Sequence, residues 1–104
     1  MQKFLTVGFM FCKNLYHSIV MVKKKSDYTI YQITVMNGDL EKLLYGNHRI
    51  YEINGCLHVK VCENKKQEIL KVNIAEALSK LLGIPLKVIK ILRKHPDETD
   101  GKSV

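Results

Sequence analysis

Acidic side chains are absent from the first 25 residues and scarce overall: 10 Asp and Glu stand against 17 Lys and Arg, for a formal net charge of +7 in 104 residues. That imbalance favours a polyanionic partner, because clustered Lys and Arg release condensed counterions when they meet phosphate. Long apolar runs are lacking as well. Phe4 to Cys12 is closed by Lys13, Asn14 and His17 and has about half the length a bilayer-crossing helix needs. Cysteine is limited to Cys12, Cys56 and Cys62, an odd count without the density of a disulfide scaffold, which points to a reducing, cytoplasmic setting.

The chemistry of common active sites is missing too. The 6 glycines are scattered and read as turns, and no glycine-rich phosphate loop, nucleophile elbow or spaced carboxylate pair occurs. A cofactor-free, non-enzymatic protein is therefore expected. Cys56, His58 and Cys62 share one face of a strand, but at about 3.3 Å per residue the two cysteines lie roughly 20 Å apart, too far for donors that must each sit about 2 Å from one zinc ion. His48 projects to the other side of the partner strand. No metal site follows.

What is present is an uneven distribution of charge. Residues 1–25 carry Lys3, Lys13, Lys23, Lys24 and Lys25; the middle nearly cancels; residues 71–95 hold six Lys or Arg against Glu76 alone. Residues 1–25 read as an apolar, basic leader, either a targeting segment or an over-long reading frame with Met21 as the true start. A peripheral membrane anchor is a third use for it. Residues 26–95 form a single expected α+β domain, and 96–104 a polar, disordered tail.

Within the domain, Tyr31, Ile33 and Val35 alternate with Gln32 and Thr34, so 28–36 is a strand. Asn37 to Asp39 supply a turn and N-cap for a short helix over 39–45, with Gly46 and Asn47 as its stop. Asn54-Gly55 between two β-type runs predicts a type I′ hairpin of strands 48–54 and 56–63, because both residues accept positive φ. Its register sets Tyr51 opposite His58 and Arg49 opposite Lys60, giving a basic and aromatic face suited to stacking bases and neutralising phosphates. The other face carries Ile50, Leu57, Val59 and Val61 to the core. Residues 64–67 read as a second hairpin loop and 68–73 as a fourth strand, completing a small antiparallel sheet of about four strands.

The C-terminal third completes the reading. Ile74, Ala77, Leu78, Leu81 and Leu82 follow helical spacing over 74–82, with Asn73 as N-cap and Gly83 as stop. Pro85 then opens a second helix over 86–94. The pair forms a helical hairpin packed on the sheet, similar in shape to a helix-turn-helix, with Lys87, Lys90, Arg93 and Lys94 on one arc facing phosphates. The competing assignment makes "LKVIKIL" an additional edge strand, but its alternation breaks at Val88-Ile89 and Ile91-Leu92, which favours the helix. The expected function is that of a small basic nucleic-acid-binding or regulatory protein, using Lys87, Lys90, Arg93 and Lys94 with help from Arg49, Tyr51 and Lys60. The alternative is an interaction module or homodimer that uses an open sheet edge, or the apolar Val88 and Ile91.

Overall fold

Alternation begins earlier in the chain than the strand at Tyr28. In the computed structural model, which describes residues 3–44, 46–61 and 64–90, the segment Lys3–Phe11 is strand β1 and Asn14–Lys24 is strand β2. They pair antiparallel from Lys3↔Val22 to Phe11↔Asn14. Val7, Phe9, Phe11, Val20 and Val22 fall on one face and are buried. Phe4, Met10, Leu15 and Ile19 fall on the other and remain exposed, so both parities are apolar and the period of two is hard to see. Cys12 and Lys13 close the hairpin with φ of 51° and 67°, a primed turn built without glycine.

Strand β3 (Thr29–Val35) pairs with β2, and helix α1 (Gly38–Leu43) follows, its Asn37 side chain accepting from the Leu40 amide at 3.1 Å. Strands β4 (Arg49–Ile53) and β5 (Cys56–Val61) form the hairpin expected at Asn54-Gly55, with φ of 53° and 76° and Tyr51 opposite His58. The buried set Ile50, Leu57, Val59 and Val61 is the one the register implies.

From Asn64 onward the fold departs from the sequence reading. Residues 64–73 are neither a loop nor a strand: a single helix, α2, runs over Lys65–Leu82, about 27 Å long at 1.5 Å per residue. Asn64, not Asn73, is its N-cap, accepting from the Gln67 amide at 3.0 Å. The buried stripe is Gln67, Leu70, Lys71, Ile74, Ala75 and Leu78, a helical series whose first and third members are polar. Gln67 Nε2 donates to the carbonyls of Leu43 and Leu44, and Lys71 Nζ donates to the Asn47 backbone carbonyl and Oδ1. The Leu43 and Leu44 carbonyls are end-of-helix groups that α1 cannot satisfy internally. Two core-facing polar residues thus fasten α2 to the loop after α1. Gly83, with φ of 69°, ends α2 in the left-handed conformation, its amide donating to the Ser79 carbonyl.

The expected helical hairpin does not form. Leu86–Lys90 is strand β6, paired parallel with β5 from Leu57↔Leu86 to Val61↔Lys90. Proline at 85 disfavours helix at Ile84, the Pro85 carbonyl accepts from the Leu57 amide at 2.8 Å, and β-branched Val88 and Ile89 suit the pleat. The 18-residue α2 is the crossover a parallel pair requires. Residues 91–94 of the expected second helix, and the tail at 96–104, lie outside the described residues.

The result is one six-stranded sheet in the order β1-β2-β3-β4-β5-β6, larger than the four strands expected and mixed rather than antiparallel. Helix α2 approaches the backbones of both β1 and β5, four places apart in the sheet, so the sheet curls around it. Leu70, Ile74, Ala75 and Leu78 fill that concave side against Val7, Phe9, Val20, Ile33 and Val59. Burying each leucine there contributes about 2–3 kcal/mol. No helix among the described residues is long and apolar enough to cross a membrane.

Candidate functional site

Among the described residues, helices pack only on the concave face, and the pleat decides what the convex face displays. Because Ile50, Leu57 and Val59 point to the core, Arg49 and Tyr51 of β4, and His58 and Lys60 of β5, point outward. Register brings Lys87 of β6 beside His58. In the other direction Tyr51 pairs with Ile30, and Ile30 with Lys23 of β2. Lys23, Ile30, Tyr51, His58 and Lys87 therefore form one row across five strands, about 19 Å from end to end at ~4.8 Å per strand. The adjoining row carries Met21, Gln32 and Arg49. Continuing the Tyr51–His58 register by two positions sets Arg49 beside Lys60.

Arg49, Lys60 and Lys87 are exposed, while Tyr51 and His58 are half-buried among them. Tyr28, at the end of the β2–β3 hairpin, leans on Tyr51 with ring centroids 6.1 Å apart and planes tilted by 46°. Lys23 Nζ donates to Gln32 Oε1 at 3.2 Å, which keeps that ammonium over the sheet.

Glu52 is the sole acidic residue within the six described strands, and it shares the helix-side face with Ile50. There its Oε1 accepts a 2.6 Å hydrogen bond from the Tyr31 hydroxyl. Burial, with the hydrogen bond to and charge of Glu52, pushes the Tyr31 phenol well above its usual range. The carboxylate that could cancel the outer cations is thus turned away from them.

Of the residues singled out from the sequence, Arg49, Tyr51, Lys60 and Lys87 come together on this face. Lys90 closes β6 opposite Val61, and Arg93 and Lys94 lie outside the described residues. The helical arc that was to unite Lys87, Lys90, Arg93 and Lys94 does not exist, since a three-residue spacing aligns side chains on a helix and not on a strand. Sequence reasoning missed Lys23, because residues 1–25 were set apart as a leader. Its odd-numbered parity, out of step with the buried Val20 and Val22, was the available signal.

Cys56 and His58 occupy successive outward positions of β5, and no group of three or more His, Cys, Asp or Glu able to hold a metal occurs among the described residues. Comparison of the chain with protein-family models, with curated proteins and with solved structures gives no match.

Proposed function

We propose that this protein binds single-stranded nucleic acid across the convex face of its sheet. The observation that carries the reading is the grouping of Arg49, Lys60 and Lys87 around Tyr51, on a face from which the sheet's carboxylate is turned away. A convex, cationic surface with a partly exposed aromatic ring suits unpaired bases, which stack on the ring while phosphates lie along the ammonium and guanidinium groups. Duplex grooves call instead for a protruding helix or ribbon. Binding of this kind requires no cofactor and no catalysis. The thiols of Cys12 and Cys56 are free, which suits the reducing cytoplasm as its place of action.

A salt titration of binding to labelled oligouridine and oligodeoxythymidine tests the proposal. With wild type, the affinity is expected to fall steeply with salt. The Arg49→Ala/Lys60→Ala/Lys87→Ala variant should bind more weakly, with a log–log slope shallower by about 2, as three lost phosphate contacts at ~0.7 each imply. Tyr51→Ala should weaken binding about tenfold or more, the value of one stacked base. Absence of binding at low salt, or wild-type affinity in the triple variant, overturns the reading.

A further inference from the structure

The row Lys23, Ile30, Tyr51, His58 and Lys87 includes an imidazole, the side chain that changes charge between about pH 5 and 8. Register sets the surroundings of His58 on each side. Tyr51 stands opposite it on β4 and Lys87 beside it on β6, each across one strand spacing of ~4.8 Å. Cys56 and Lys60 flank it on β5, two residues or ~6.6 Å away along the strand. Arg49 lies on the diagonal, about 7–8 Å off by backbone and within reach of a long side chain. The acidic residue of the described strands, Glu52, is on the other face, hydrogen-bonded to Tyr31. His58 thus stands among Arg49, Lys60 and Lys87, with no carboxylate from the described strands on its face.

The other described histidines are placed differently. His17 shares the convex face, but it lies six residues, or ~20 Å, along β2 from Lys23. Its ring sits over Gly8, with Cδ2 and Nε2 each 3.6 Å from where a Cβ on that glycine would stand. His48 Nε2 is 2.8 Å from the Glu41 carboxylate, outside the row.

Given the single-stranded binding proposed above, on which this rests, we infer that protonated His58 serves as a further cation of the site, so that binding takes up a proton and tightens as pH falls. A phosphate held between Lys60 and Lys87 comes beside the imidazole, because both lysines are its immediate neighbours on the face. An anion at that position favours the charged ring over the neutral one. The complex then holds more protons than the separated partners, so by linkage affinity rises as pH falls through the histidine range and declines above it. Lys and Arg keep their charge throughout that range. Phosphodiesters and uracil do not titrate in it either, which assigns the effect to the imidazole.

Isothermal titration calorimetry of the full chain with oligouridine, at about pH 6.5 in two buffers of different ionisation enthalpy, measures the proton uptake directly. Wild type should take up a fraction of a proton. By fluorescence anisotropy it should bind about three- to fivefold more tightly at about pH 5.5 than at about pH 7.5, the worth of one exposed ion pair. Its log–log salt slope should be steeper by about 0.7 at the lower pH, as one added phosphate contact implies. His58→Gln should abolish both the uptake and the added slope, and His17→Gln should retain both. His58→Lys carries a fixed charge, so it should bind equally well at the two pH values, which separates loss of the titrating group from disturbed packing. Binding without proton uptake, or uptake that survives His58→Gln, overturns this inference and leaves the single-strand reading standing. Absence of binding at both pH values in low salt overturns the two together.

Discussion

The Lys71 ammonium donates to both oxygens of Asn47, the backbone carbonyl at 2.9 Å and Oδ1 at 2.7 Å, from a side chain with no solvent exposure. A buried ammonium persists only where its protons are satisfied. Lys71→Met keeps the volume and leaves two acceptors without this donor. It should cost about 1–3 kcal/mol in urea denaturation, with the slope of the transition unchanged.

The β1–β2 turn is strained at two ordinary residues. Left-handed backbone costs a non-glycine residue about 1–2 kcal/mol, and both Cys12 and Lys13 adopt it. Replacing the pair by Asn-Gly, the sequence that closes β4–β5, should stabilise the protein by about 1 kcal/mol. Thermal unfolding would show a midpoint raised by roughly 4–8 °C.

Tyr31 predicts a pH dependence. Its folded pKa is raised by burial and by Glu52, so the stability it contributes is complete below the unfolded phenol value of about 10. That contribution is lost as pH rises above ~10, because the unfolded chain releases a proton which the folded one retains. Denaturation midpoints measured from pH 9 to 11 should fall more steeply for wild type than for Tyr31→Phe.

Gly83→Ala is expected to destabilise by about 1 kcal/mol. The residue sits at φ of 69° where α2 must stop to let β6 begin. An added Cβ meets no atom within 4 Å, so the effect would be conformational and not steric. Chemical denaturation measures it directly.

The parts of this fold that could be read from the sequence are those fixed by local chemistry. Asn54-Gly55 specified both a turn and a register, Asn37 a cap, and Gly83 a stop. The hydrophobic pattern of α2 was concealed because Gln67 and Lys71, core-facing and bonded to loop carbonyls 23 and 24 residues away, look like surface residues in one dimension. Strand β6 was ambiguous for a different reason. A short apolar segment with lysines fits either period, and only the presence of β5 as a parallel neighbour decides between them. The candidate site was half legible: Arg49, Tyr51 and Lys60 followed from the hairpin register, while the role of Lys23 depended on β2 joining the sheet. Lys87 was chosen on a helical wheel, and it reaches the same surface through strand register.

Strand order in the sheet equals strand order in the sequence. A nascent chain leaving the ribosome can therefore dock each strand on the one just completed, without parting two strands that have already joined. Each strand as far as β5 pairs antiparallel with the one before it, across short turns or, between β3 and β4, across helix α1. The final strand must wait for 18 residues of helix to emerge and wind. Until then β5 offers an unoccupied border, and that interval is the stage of biogenesis at which a chaperone would be most useful.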